Sequence, residues 1–241
     1  MKWGKYWEAA HQESKDLGFG KALSAATFNG SIIVEAKKYH GFSSVVLPSF
    51  PASQQEKTVF SEIAHDRVSA RTFSGEPIQL SQLADILHIG AGVRVLHRAE
   101  PRMQPSAGKR YPIELYVLPF KVEGLESCIY HYQPISHALE KLFPYSEPIT
   151  NFTKEEWLSD CAALILFTGV FARTAVRYGA RSYRYVLLEA GHIAQLMLLE
   201  AQALGIAASP IGGIDDRRLE SLLDIDGTTE SIVYSVVIGR P

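Results

Sequence analysis

The run "SYRYVLLEAGHIAQLMLLEAQALG", residues 182–205, limits the possible folds more than any other part of the chain. It is apolar on nearly every side of a helical projection. It therefore predicts one long helix with no solvent side, enclosed by a core or by a second subunit. Within it Glu189, His192 and Gln195 fall three apart and make a slanting polar stripe. For Glu189 and Gln195 the pattern predicts a buried hydrogen-bonded network that packs a dimer. His192 divides evenly between that network and a place beside a ligand pocket.

The elements around this helix are shorter. "QQEKTVFSEIAHDR" predicts a helix, and "SQLADILHIGAG" predicts a second, with Ser81 as N-cap and Gly90 or Gly92 at its end. "IELYVLPF" alternates as a strand, "SCIYHYQ" is a candidate to pair with it, and "CAALILFTGVF" is a fully buried strand bounded by Asp160 and Arg173. "DRRLESLLD" closes the helices and "SIVYSVVIG" the strands. Strands with uneven helical insertions predict an α+β sandwich around one sheet. Residues 1–52, rich in Gly and Pro punctuation, are expected to form an N-terminal arm laid over a body of residues 53–241.

Composition narrows the function. At 241 residues the chain supports one substantial core, and a net charge of -2 with scattered arginines leaves no footprint for nucleic acid. Cys128 and Cys161 make no disulfide framework and no C-x-x-C pair, so they read as buried thiols in a reducing compartment. The first residues lack an apolar signal region and no apolar run approaches membrane-spanning length, so a cytoplasmic protein without a membrane segment is expected. "GAGVRV" follows a helix and lacks a third glycine, which makes it a helix end and not a dinucleotide fingerprint. No phosphate-binding loop, zinc-protease helix or nucleophile elbow is present. His131 and His137 lack a third ligand, so no metal site is expected there.

Three stretches remain that make chemical sense together. "RVSAR" sets Arg67, Ser69 and Arg71 on alternate positions; "PSAGKRYP" presents small residues, Pro105, Ser106, Ala107 and Gly108, before a strand; "SPIGGIDD" offers Pro210, Ile211, Gly212 and Gly213 before the last helix. A phosphate calls for Arg and Ser donors, and a flat polar ring calls for backbone amides along its edge. Flavin mononucleotide, FMN, has both parts.

These stretches, with "RYGARSYRYVLLEAGHIAQLMLLEAQALG" and "LLDIDGTTESIVYSVVIGRP", resemble the nitroreductase superfamily, and within it the SagB/McbC-type branch of flavin-dependent dehydrogenases from azole-forming peptide biosynthesis. "AAHQESK" and "AKKYHGFSSVVLP" are similar to the lead-in of that branch. The resemblance implies an FMN-binding homodimer with a central mixed sheet and two active sites at the subunit interface. It implies that Arg67 and Ser69 hold the phosphate and ribityl chain, that Arg71 sits near the pyrimidine edge, and that Arg240 is a further phosphate contact. By the same resemblance, Pro105–Gly108 belong to the segment that the partner subunit contributes, and Gly212 and Gly213 face the ring edge where hydride arrives. A fixed cation near that ring favours the reduced state.

The branch places a Lys-Tyr pair just before the long helix, associated with deprotonating an azoline. Arg177-Tyr178 stands there in this chain. A guanidinium is not a general base at neutral pH, so either Tyr178 relays a proton with Arg177 lowering its pKa, or the pair positions an acidic substrate. The favoured expectation is an FMN-dependent dehydrogenase of a peptide-derived azoline. An NAD(P)H-dependent reductase of nitro, quinone or enone compounds and a non-catalytic flavin-binding or scaffold subunit of a biosynthetic complex are the alternatives.

Overall fold

Strand β5, Ala163–Val170, lies at the middle of the molecule and is buried on both faces over nearly its whole length. That is why its sequence is a continuous apolar run with no alternation. The computed structural model describes residues 37–49, 60–94 and 101–241. Around β5 run β1 (Ser44–Val46), β2 (Ile113–Pro119), β3 (Cys128–Gln133), β4 (Ala138–Pro144), β6 (Ala207–Ile211) and β7 (Glu230–Gly239). Their order across the sheet is β1-β4-β3-β2-β5-β7-β6. Every ladder between these strands is antiparallel, so the sheet is antiparallel where a mixed one was expected. The α+β sandwich itself is as expected.

Period-two alternation sends successive side chains to opposite faces. Ile113, Leu115, Val117, Ile165 and Phe167 face one layer, formed by α2 (Leu80–Ala91) and the long helix α4 (Ser182–Ala203). Tyr116, Leu118, Leu164 and Leu166 face the other layer, formed by Phe152, Leu158 and α5 (Asp216–Leu222). Two shorter helices are also present among the described residues, α1 (Phe60–Asp66) and α3 (Ala172–Tyr178). None of the described helices is long and apolar enough to cross a membrane.

Helix α2 begins at Leu80 with Gln79 as N-cap, not Ser81, because Gln79 and Gln82 exchange side-chain and backbone hydrogen bonds in a capping box. Gly92 closes it as read from sequence, its N–H bonded to His88 O at 2.7 Å. Gly90 serves packing between helices: a Cβ there would lie 2.5 Å from Met197 Cε, so the missing side chain is what lets α4 seat against α2.

The long helix is present, but the described residues do not enclose it. Val186, Glu189, Ala190, Ile193, Ala194, Met197 and Leu198 are buried, whereas Tyr183, Leu187, Leu188, His192 and Gln195 are exposed. The polar stripe is thereby divided, with Glu189 inside and the other two outside. The rotation of about 100° per residue carries positions three apart progressively round the cylinder.

Most of the expected N-terminal arm, and residues 54–59 of the first expected helix, lie outside the described residues. The described part, residues 37–49, runs along the sheet: β1 pairs with β4, and Lys37 Nζ reaches Tyr116 Oη and Glu230 Oε2, each at 2.7 Å. Cys128 and Cys161 are free and buried, and burial pushes the Cys161 thiol up to about 12.

Candidate functional site

The first and third stretches meet along edge strand β6. Leaving α1, Arg67 N still bonds back to Ile63 O at 3.1 Å, and its Nη1 donates to Ser69 Oγ at 3.5 Å. Ala70 N then bonds to Ala208 O at 3.0 Å, which fastens the stretch to β6. Arg71 Nη1 donates to Ser209 Oγ at 2.7 Å, and its guanidinium lies 5.0 Å from the Trp157 ring centroid. Trp157 in turn stacks on Phe73, 6.0 Å between centroids. Arg71 is thus held from two sides, by a hydroxyl on β6 and by an aromatic face.

From Ser209 the strand passes Pro210 and Ile211 to Gly212 and Gly213. The Ile211 side chain is buried in the core, so only its backbone is available to a ligand. Gly212 and Gly213 are exposed, and a Cβ on either would meet nothing within 4 Å. Thr153 Oγ1 donates to Gly213 O at 2.8 Å, and Asp215 N bonds to Phe152 O at 2.7 Å, so the segment around Phe152 holds the glycines as well as supplying Trp157. Arg240 is tied one segment further on: Ser74 N bonds to its carbonyl at 3.0 Å, and its Nε lies 3.4 Å from Pro77 O. Two guanidiniums, a hydroxyl and an open diglycine backbone on one sheet edge form a donor set that fits FMN.

The second stretch is built against different elements. Ala107–Lys109 forms a short 3-10 turn, with Gly108 at φ +61°. Lys109 and Tyr111 are also left-handed, at φ +56° and +46°. Ser106 organises the turn, its carbonyl accepting from Lys109 N at 3.0 Å and its hydroxyl from Tyr111 N at 2.8 Å. Arg177 and Tyr178 lie directly over Gly108, where a Cβ would come 2.8 Å from Tyr178 Oη and 3.1 Å from Arg177 Nη1. Glycine at 108 suits the left-handed backbone angle, and a Cβ there would push the ends of these two side chains aside. Tyr178 also meets Tyr185 edge to face at 5.0 Å, and the Arg177 guanidinium lies 5.4 Å from the Tyr178 ring centroid.

Beneath this turn Gln104 Nε2 approaches Glu189 Oε1 at 3.5 Å, with both residues buried. Burial pushes the Glu189 carboxyl up to about 7, against the opposing pull of Ser106, Gln104 and the Arg102 and Arg173 charges. Its Oε2 has no hydrogen-bond partner.

A further polar group was not read from sequence. Glu114, Tyr116, His131, Glu140, Thr168 and Glu230 share one face of the sheet, and His131 stands opposite Tyr116 on β2 and Glu140 on β4. His131 Nε2 lies 2.9 Å from Glu114 Oε2 and Nδ1 lies 2.8 Å from Glu140 Oε2. Burial disfavours the imidazolium, but two flanking carboxylates outweigh it and raise the His131 pKa. Burial likewise opposes the Glu114 carboxylate, which His131 and Arg173 hold well below the usual range. The signal that could have found this group is a charged residue at an inward position of a strand otherwise apolar on that face. Among the described residues no cluster suits a metal ion.

The sequence pattern of the nitroreductase family matches residues 64–240. The chain belongs to the nitroreductase family. Among relatives of this nitroreductase-family chain, protein MJ1384 of Methanocaldococcus jannaschii is 29% identical over 173 residues, 70% of this chain and 86% of that protein. The trifolitoxin-processing protein TfxB of Rhizobium leguminosarum bv. trifolii is 29% identical over 56% of this chain and 39% of its own length. The microcin B17-processing protein McbC of Escherichia coli is 26% identical over 53% of this chain and 50% of its own. The chain therefore spans half or less of those two processing proteins.

Solved structures agree on the nitroreductase fold. A crystal structure from Anabaena variabilis ATCC 29413 superposes with a TM-score of 0.72 at 24% identity, covering 88% of this chain and 45% of that one. The E. coli microcin synthetase McbBCD complex with truncated pro-MccB17 gives 0.64 at 20% identity, covering 89% and 84%. A Desulfovibrio desulfuricans structure in complex with FMN gives 0.52 at 17% identity, covering 77% and 88%.

Proposed function

We propose that this chain is an FMN-dependent oxidoreductase whose substrate is an azoline ring in a modified peptide. The observation that carries the cofactor is the Arg71 guanidinium, fixed 2.7 Å from Ser209 Oγ on the strand that leads into the open Gly212–Gly213 backbone. FMN, when bound, supplies the hydride acceptor. Arg67 and Ser69 would hold its phosphate and ribityl chain, with Arg240 as a further phosphate contact, and Gly212 and Gly213 would leave room for the ring edge. Arg71 places a permanent positive charge beside that ring, which favours the reduced state.

Tyr178 relays to solvent the proton that the azoline ring loses along with its hydride. Its hydroxyl rests over Gly108, beside the Arg177 guanidinium, which orients it and cannot itself serve as a base at neutral pH. The second stretch and the Arg177-Tyr178 pair stand against α3 and α4, and not with β6. This supports a homodimer in which each subunit lends Pro105–Gly108 and Tyr178 to its neighbour's flavin. The exposed Tyr183, Leu187 and Leu188 of α4 give such a dimer an apolar face to cover. Similarity to TfxB and McbC, and the fold shared with a subunit of the McbBCD assembly, favour peptide maturation and a biosynthetic partner complex.

The test is anaerobic mixing of the flavin-loaded protein with an azoline-bearing peptide and, separately, with NADPH. Bleaching of the flavin colour by the peptide alone is the expected result. Rapid bleaching by NADPH instead makes the chain a nicotinamide-driven reductase, and bleaching by neither makes it a non-catalytic subunit. Release of FAD in place of FMN on denaturation overturns the cofactor.

A further inference from the structure

A line of buried charge crosses three strands and ends at the second stretch. Glu140 Oε2 lies 2.8 Å from His131 Nδ1, His131 Nε2 lies 2.9 Å from Glu114 Oε2, and Glu114 Oε1 lies 2.5 Å from Arg173 Nη2. The other guanidinium arm, Nη1, donates to Tyr111 O at 2.9 Å. The side chains of His131, Glu114 and Arg173 are 0%, 3% and 15% exposed. With His131 doubly protonated, two negative and two positive groups balance.

Such an array is a poor source of stability, because apolar side chains of the same volume do as well or better. What it supplies is direction. A guanidinium presents its donors in a rigid fork, so one arm locked to Glu114 aims the other at a fixed point. That point is the carbonyl of a residue that needs holding: Tyr111 is left-handed at φ +46° and Lys109 at +56°, a conformation disfavoured for a non-glycine residue. The ring of Tyr111 is also covered, with the Arg102 guanidinium 4.6 Å from its centroid.

On α3, Arg173 and Arg177 are four residues apart and so lie on one face. The helix therefore grips the turn at two places. Arg173 takes the Tyr111 carbonyl, and Arg177 with Tyr178 covers Gly108. We propose that Arg173 is a positioning residue that sets the Tyr178 hydroxyl over the Ser106–Tyr111 turn, with the Glu114–His131–Glu140 array as the rigid mount that aims it. For its kinetic consequence this rests on Tyr178 as the proton-transfer group; the structural consequence stands apart from that reading.

Two amides report the structural consequence, Lys109 N–H bonded to Ser106 O and Tyr111 N–H bonded to Ser106 Oγ. In Arg173→Lys, which keeps the charge and loses the fork, both should exchange with solvent about tenfold faster or more, while Asp215 N–H, bonded to Phe152 O elsewhere, is unchanged. Unchanged exchange at Lys109 and Tyr111 overturns the proposal. Should Arg173→Lys fail to fold, Glu140→Gln loosens the mount from its far end, and the same two amides are read with the same meaning.

The kinetic arm uses a double-mutant cycle. Arg173→Lys should slow flavin bleaching by the azoline peptide about tenfold in the parent protein and less than about twofold in a Tyr178→Phe background, because the two residues act on one group. Equal slowing in both backgrounds shows that Arg173 acts elsewhere and overturns the proposal. If Tyr178→Phe alone bleaches at the parent rate, the proton-transfer role of Tyr178 has failed, and amide exchange alone decides the place of Arg173.

Discussion

Replacing Glu189 by Gln isolates one buried proton. Burial at 2% exposure pushes the Glu189 carboxyl from an ordinary 4.5 up to about 7. Because the folded value is the higher one, the folded chain holds a proton between these pH values that the unfolded chain releases. Stability through this group is therefore full below pH 4.5, declines as pH rises, and is lowest above 7. A displacement of this size is worth about 3 kcal/mol in all, of which about 2.5 kcal/mol falls between pH 5 and pH 8. Glutamine keeps the shape, carries no charge at any pH, and can donate to the buried Gln104 Oε1, which has no partner.

The expected outcome is that Glu189→Gln matches the parent near pH 5 and exceeds it by about 2–3 kcal/mol at pH 8, a urea midpoint shift of roughly 1 M for a chain of this size. Both proteins are unfolded at one concentration, since assembly is linked to stability. Titration of Glu114 and His131 is common to both and cancels in the difference. Parallel stability curves within about 0.5 kcal/mol would refute the reasoning, and would mean that Arg102 or Arg173 stabilises the carboxylate as well as water does.

Gly108→Ala places a methyl group 2.8 Å from Tyr178 Oη in a left-handed backbone, so it should lower the melting temperature by about 2–8 °C and slow substrate-driven bleaching measured at saturating FMN; calorimetry and flavin absorbance check it. Arg67→Ala removes charge-assisted hydrogen bonds, so FMN affinity should fall on the order of tenfold to a hundredfold, and excess FMN should restore turnover; loss of turnover at saturating FMN would put Arg67 in the chemistry. His131, held between Glu114 and Glu140, should titrate above the ordinary 6.5, with protons on both ring nitrogens below that pH, read from its imidazole nitrogen NMR shifts. Because its pKa is raised, the stabilisation it provides is complete below the ordinary 6.5 and disappears as pH rises through the higher folded value; a midpoint at or below 6.5 would contradict the array described above.

Local order was legible because local rules produce it. The apolar run of β5, the alternation of β2 and the glycine that ends α2 are each decided within a few residues. The N-cap of α2 was misplaced because a serine beside the boundary is the usual capping residue, whereas here paired glutamines, Gln79 and Gln82, close a box. The candidate site was proposed from three stretches of suitable chemistry. Their division, with Arg71 on Ser209 and Gly108 under Tyr178, was not legible, because it depends on which strand edge and which helix each stretch meets.

The sequence by itself determined the character of the layers, the long helix, and the absence of the fingerprints of other common enzyme classes. These follow from composition and periodicity, which are properties of neighbours along the chain. Only the tertiary structure decided that Glu189 is inside while His192 and Gln195 are outside, and that His131 sits between two carboxylates on adjacent strands. Charge–charge energy and desolvation depend on distance in space and on what excludes water, and residues 114, 131, 140 and 173 acquire both only when β2, β3, β4 and α3 pack together.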